Sequence, residues 1–124
     1  MYTLDTNSVI YYMEGDKEIV KLIRNSILAK RTIYISVITE AELMSWPPLT
    51  EEEILIIEDN INIFSSLAVD HKIARIASFL RRKYSSIKLP DAIIAATAIF
   101  TGTTLITRNI KDFQKIKELK LQKI

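Results

Sequence analysis

Short runs of β-branched and aromatic residues alternate along this chain with longer stretches whose apolar residues recur every three or four positions. The runs are Tyr2 to Leu4, Ile33 to Val37 and Thr103 to Thr107. Between them, Ile19, Val20, Ile23, Ile27 and Leu28 lie at helical spacing, as do Ile73, Ile76, Ala77 and Leu80. Strands separated by helices pair in parallel, and a parallel sheet needs both faces covered. The expectation is an α/β fold, a three-layer α/β/α sandwich around a central, mainly parallel sheet. The 124 residues fall below the roughly 150 expected of one domain, so residues 1–124 are read as a single domain. A hydrophobic content of 48% supplies enough apolar side chains for its core.

Local signals place the element ends. The polar cluster Asp5-Thr6-Asn7-Ser8 can cap a helix that runs through Met13 and stops at Gly15, and a second helix starts from Asp16. Helix formers from Thr39 to Ser45 end at Trp46-Pro47-Pro48. Thr50 with Glu53 three residues on is a capping box. Ile61 to Leu67 reads equally as a strand or a helix end, and Val69 to Tyr84 reads as a helix with His71 in its first turn. Leu89-Pro90-Asp91 opens a largely buried helix, Ala92 to Thr101, which Gly102 ends in a left-handed cap. Arg108 to Phe113 is a loop with a short helical turn, and Leu119 to Ile124 is an edge strand.

Composition removes several chemistries. Without cysteine there are no thiol nucleophiles, redox pairs or cysteine-ligated metals. A single histidine, His71, excludes two-histidine acid–base schemes and HExxH sites. Two glycines, Gly15 and Gly102, cannot build a phosphate-cradling loop of the P-loop or GxGxxG kind. Seventeen basic against fifteen acidic residues give a net charge of +2, which neither demands nor forbids an anionic partner. No basic and apolar leader and no membrane-length apolar run is visible, so a soluble cytoplasmic protein without membrane contact is expected. Carboxylates remain as the reactive groups.

In an open parallel sheet, ligands bind beyond the carboxyl ends of the strands, so acids placed just after strands are the candidates. Asp5 follows the first strand and Glu42 lies one to two helical turns after the second. Asp91 begins the buried helix, and Asp112 follows the last core strand by a few residues. Each has a plain structural role open to it: helix cap for Asp5, favourable helix-dipole charge for Asp91, surface carboxylate for Glu42, loop residue for Asp112.

Four segments in order resemble the signatures of PIN-domain proteins, most closely VapC-type toxin ribonucleases. They are Leu4-Asp5-Thr6-Asn7, the stretch Ile35 to Leu43, the block Leu89 to Ala98 and the tail Leu105 to Phe113. Together they span nearly the whole chain. The resemblance implies an acidic set at Asp5, Glu42 and Asp91. Family members often carry an acid where Asn109 stands, so the fourth role passes to Asp112, with Asn109 or Asn7 assisting; three carboxylates are the fallback. Glu40 competes with Glu42, but an offset of two residues turns a helical side chain by about 200°, so only one of them faces the cluster.

Two carboxylates about 4 Å apart repel by roughly 4 kcal/mol at an effective dielectric near 20, so a cluster of three or four calls for a cation. An oxygen-only donor set selects Mg²⁺ or Mn²⁺, one ion or two. The implied reaction is phosphodiester hydrolysis of RNA, and the resemblance adds 5′-phosphate and 3′-hydroxyl product ends. Asp5 and Asp91 are assigned to the principal ion, Glu42 to binding or orienting its water, and Asp112 to completing the set. Thr6, Asn7, Ser36, Thr107 and Asn109 are candidate polar supports for these carboxylates, with helix capping as the plainer role for the hydroxyls.

Arg108 and Lys111 are the nearest basic residues for RNA phosphates. Arg81-Arg82-Lys83 is a denser basic cluster, but one suited simply to a solvated helix end. Tyr11, Tyr12 and Trp46 could stack on bases but fit core or interface equally. The resemblance further implies a homodimer and a cognate antitoxin protein that covers the acidic groove. Two rivals remain: a PIN-like RNA- or protein-binding module without turnover, for which Asn109 is the best support, and an aspartyl phosphatase with Asp5 as nucleophile. The phosphatase pattern of haloacid-dehalogenase type wants an Asp two residues on, where this chain has Asn7.

Overall fold

A computed structural model describes residues 1–124. Its strands are β1 (Tyr2–Leu4), β2 (Ile33–Ser36), β3 (Ser65–Leu67), β4 (Thr104–Thr107) and β5 (Lys120–Lys123). The helices are α1 (Thr6–Met13), α2 (Lys17–Leu28), α3 (Val37–Leu43), α4 (Glu51–Ile61), α5 (His71–Lys83), α6 (Leu89–Thr101) and α7 (Ile110–Phe113). All five strands join one sheet in the order β3-β2-β1-β4-β5, and every pairing is parallel. The order reverses between β1 and β4, where the chain has wound outward in both directions, and such a switch point opens a crevice at the carboxyl ends of the two strands.

The sheet divides two apolar cores. Leu4, Ile33, Ile35 and Ile106 pack on one face with Val9 of α1 and Ile19 and Ile23 of α2. Leu105, the neighbour of Ile106, points to the other face and meets Ile73, Ala77 and Leu80 of α5 and the alanines of α6. This alternation is the period of two of an extended strand. In α6, Ala92, Ala95, Ala96 and Ala98 are fully buried, and their small side chains let the helix lie close over β1, β2 and β4. The three-layer α/β/α sandwich read from the sequence is the fold found.

Caps set the helix starts. Asp70 accepts from the Ile73 amide at 3.0 Å, and Thr50 and Glu53 complete the capping box of α4. Ser36 accepts from the Ile38 amide at 3.1 Å, which turns Val37 into the first residue of α3 and ends β2 one residue short of the expected strand. The ambiguous stretch from Ile61 contains both alternatives: α4 ends at Ile61 and β3 begins at Ser65. Gly102 ends α6 at φ 66°, a conformation that costs other residues a clash with their own Cβ. No helix is long and apolar enough to cross a membrane.

Candidate functional site

The crevice at the β1–β4 switch point is acidic. Asp5, Glu42 and Asp91 line one cleft of about 110 Å³, together with Thr6, Asn7, Asn109, Ile94 and Phe113. Asp5 comes from the end of β1, Glu42 from the last turn of α3 and Asp91 from the first turn of α6. Three acids separated by 37 and 49 positions in the sequence reach one cavity because all three elements end or begin at the same edge of the sheet.

Asp5 is only 5% exposed and caps α1: its Oδ1 accepts from the Ser8 amide at 2.8 Å. Its Oδ2 accepts from the Thr107 hydroxyl at 2.5 Å. Thr107 in turn accepts from the Asn109 amide at 2.8 Å, so the end of β4 and the turn after it are locked to Asp5. Each carboxylate oxygen has a second lone pair, which these bonds leave available. Glu42 is exposed but held, because Thr6 donates its hydroxyl to Oε1 at 2.6 Å. Thr6 also bonds the buried Thr39 at 3.1 Å, which joins α1 to α3 beneath the cleft.

Asp91 is partly buried, and its carboxyl sits above the ordinary aspartate value. Burial is the largest cause, followed by the negative charges of Asp112, Glu42 and Asp5. The charges of the other three acids therefore converge on Asp91 at this edge of the sheet. Asp112 lies on the other side of Asp91, in an adjoining notch rather than in the cleft, and accepts from the Asn109 side-chain amide at 2.6 Å.

The donor set is oxygen-only and carries more negative than positive charge, which suits a hard divalent cation. As the side chains stand, no three of the carboxylates converge on one point at ligand distance. The fit therefore lies in donor chemistry and uncompensated charge, and coordination would need side-chain rotation within the cleft.

The remaining sequence candidates separate. Ser36 is buried and caps α3, and Asn7 faces the cleft. Glu40 turns away to accept from Ser66 of β3. Arg108 is engaged elsewhere: its Nη2 lies 2.8 Å from Asp16 Oδ2 and 3.9 Å from Glu18, and its guanidinium stacks 4.5 Å from the Tyr11 ring centroid. Its Nε also donates to the Ile124 carbonyl at 3.2 Å. Lys111 is exposed on α7 and does not line the cleft, and neither do Arg81, Arg82 and Lys83. Tyr12 packs edge-on to Phe64 with centroids 5.7 Å apart, whereas Trp46 is 61% exposed. Asp16, the N-cap of α2 and an ordinary helix start by its sequence, also anchors Arg108. His71 lies on α5 with Ala74, Arg75, Ser78 and Arg82, away from the acids.

A parallel sheet of this order with acids gathered at its switch point is the arrangement of a PIN domain, and the chain belongs to that family: the PIN domain model matches residues 2–119. Among curated relatives it is 30% identical over 129 residues to Ribonuclease VapC1 of Haemophilus influenzae (strain R2866), covering 98% of this chain and 96% of the relative. A toxin–antitoxin complex from Klebsiella pneumoniae contains a chain that superposes with a TM-score of 0.77 at 32% identity, with 96% of this chain and 95% of that one covered. VapBC2 from Rickettsia felis, solved bound to a DNA fragment from its promoter, matches with a TM-score of 0.81 at 26% identity over 99% and 98% of the two chains.

Proposed function

We propose that this chain is an endoribonuclease, the toxin of a VapBC-type toxin–antitoxin pair, and that its activity depends on Mg²⁺ or Mn²⁺. The observation that carries this reading is the shared cleft of Asp5, Glu42 and Asp91 at the switch point, where burial and then the charges of Asp112, Glu42 and Asp5 hold Asp91 above its ordinary value. Relatives named as ribonucleases and as toxin–antitoxin complexes, matched over nearly their full lengths, support the substrate class and the partner.

In this reading Asp5 and Asp91 would hold the cation, and Asp112, in the notch that adjoins the cleft at Asp91, would complete the set. A bound divalent ion supplies charge neutralisation at the scissile phosphate and acidifies water. The protein contributes position. Thr107 and the Ser8 amide fix both oxygens of Asp5, so that its free lone pairs keep one direction. Thr6 fixes Glu42, which orients the attacking water and accepts its proton. The amides of Asn7 and Asn109 line the cleft as neutral donors for the nucleotide, and Asn109 also steadies Asp112. The cytoplasm is the proposed location. Self-association into a homodimer is proposed with it and is read out by analytical ultracentrifugation.

Purified protein incubated with single-stranded and structured RNAs tests the reading. Cleavage that requires Mg²⁺ or Mn²⁺, leaves 5′-phosphate and 3′-hydroxyl ends and disappears in Asp5→Asn supports it. Binding of RNA or an antitoxin-like protein without cleavage favours the inactive module, and phosphate release from small phosphoesters with intact RNA favours the phosphatase.

A further inference from the structure

Beside the acidic cleft, and sharing Asp91 with it, lies a second and smaller notch of about 60 Å³ lined by Ser86, Ile87, Lys88, Asp91, Asp112 and Lys115. Its two ammonium groups come from different elements: Lys88 precedes α6 and Lys115 follows α7. Lys115 is partly buried and donates to the Ser86 hydroxyl, which steers its flexible stem toward the notch. Lys88 is the N-cap residue of α6, and no side chain caps that helix. The positive end of the helix dipole, with the uncapped first-turn amides of Leu89 and Asp91, therefore adds to the two lysines, while Pro90 contributes no amide. Lys88 lies close enough for its charge to act on Asp91. The two lysines thus share the notch with two carboxylates, Asp91 and Asp112, and are its only positive side chains.

We propose that Lys88 and Lys115 form a phosphate subsite for the linkage next to the scissile one, so that they position the RNA strand over the acidic cleft. This rests on the nuclease reading above for its substrate. A strand whose reacting phosphate lies among Asp5, Glu42 and Asp91 must lead its neighbouring phosphate out of an otherwise negative cavity. The lysine notch adjoins that cavity at Asp91, with room for a group of phosphate size. The contact is to a backbone phosphate, so it fixes register and direction without selecting bases.

The test uses Lys88→Gln/Lys115→Gln beside a charge-matched control, Lys30→Gln/Lys120→Gln. Lys30 lies just before β2 and Lys120 begins β5, at the opposite, amino ends of the strands. Binding of a fluorescein-labelled oligouridylate 12-mer is measured by anisotropy as a function of salt in the Asp5→Asn background, where no cleavage interferes. The notch variant is expected to weaken binding about tenfold, the loss of one charge-assisted contact. Its slope of log affinity against log salt should fall by about 0.7, one single-strand phosphate contact. The control should change neither quantity beyond a general charge effect. In the cleaving background, KM should rise about as much with kcat nearly kept, the pattern of a lost binding contact that a merely unfolded variant does not give. Equal affinity and equal salt slope for notch variant and wild type would overturn the subsite, as would an equal loss in the control. The binding arm decides this without turnover, so absence of cleavage by the wild-type protein would count against the nuclease reading alone.

Discussion

Thr107, the last residue of β4, donates its hydroxyl to Asp5 Oδ2 at 2.5 Å across 102 positions of sequence. The parallel pairing of Leu4 with Ile106 sets this contact, because it brings the residue after β1 level with the end of β4. A fully buried threonine thus serves as the support of the carboxylate at the centre of the cleft. Thr107→Val keeps the shape and removes the donor. It should reduce kcat/KM for RNA by about 10- to 100-fold, the usual cost of losing a group that orients a ligand. It should also destabilise the fold by about 1–3 kcal/mol in urea unfolding, because a buried acceptor loses its partner. Thr107→Ser should restore much of the activity.

Glu40 and Glu42 differ by two positions on one helix and face different surroundings, Ser66 of β3 for Glu40 and Thr6 with the cleft for Glu42. Glu42→Gln should lower kcat by about 10²- to 10⁴-fold, the range for removing a positioned proton-transfer group. Glu40→Gln should leave kcat within a few-fold. Steady-state kinetics on one RNA substrate compare them directly.

Asp91 makes stability depend on pH and on cation. Burial, then the charges of Asp112, Glu42 and Asp5, raise its folded value above the ordinary 3.8. Between those two values the folded protein binds more protons than the unfolded chain, so stability falls as pH rises through that window. At neutral pH without divalent ions, Asp91→Asn should therefore melt a few degrees above the wild type. Mg²⁺ or Mn²⁺ at a hundred times its dissociation constant should stabilise the wild type by about 2.7 kcal/mol and the variant by much less. Differential scanning fluorimetry across pH, with and without metal, checks both statements.

Arg108 binds Asp16 and the Ile124 carbonyl, tying the end of β4 to the start of α2 and to the last residue of the chain. Its hydrogen bond holds Asp16 below the ordinary aspartate value. The pair's contribution is present above that ordinary value and is lost as pH falls through the lowered folded one. Arg108→Gln should lower the melting temperature at pH 7, with a smaller difference from wild type at strongly acidic pH, while KM for RNA stays nearly unchanged. A large rise in KM would instead assign Arg108 to the substrate.

Helix and strand alternation was legible because its signals are local. β-branched runs mark β1, β2 and β4, and Asp5, Asp16, Thr50 and Asp70 cap the helices that follow them. β3 was not decidable from its residues, since Ser65-Ser66-Leu67 has little strand character and is extended because β2 pairs with it. Val37 has strong strand propensity, yet the Ser36 cap draws it into α3. In the cleft, the residue types that point to a cation are visible in sequence at Asp5, Glu42 and Asp91. Thr6 and Thr107 are recognisable there as candidate supports, but which carboxylate each one holds is set by the fold, since Thr107 to Asp5 and Thr6 to Glu42 join residues far apart in the chain. Lys88 and Lys115 belong to no sequence motif and meet only because α6 and α7 bring them to one notch. Arg108 looked like a phosphate ligand from its place beside the motif, and only the fold puts Asp16 within its reach.

Asp5 and Asp91 are proposed to belong to one cation site. Electron paramagnetic resonance of a Mn²⁺ titration reads this directly, because free and protein-held Mn²⁺ differ in signal. Saturable binding by the wild-type protein, weakened by at least about tenfold in both Asp5→Asn and Asp91→Asn, is the result expected when either of two shared ligands is removed. Identical Mn²⁺ binding by all three folded proteins, or none by the wild type at millimolar ion, would contradict it.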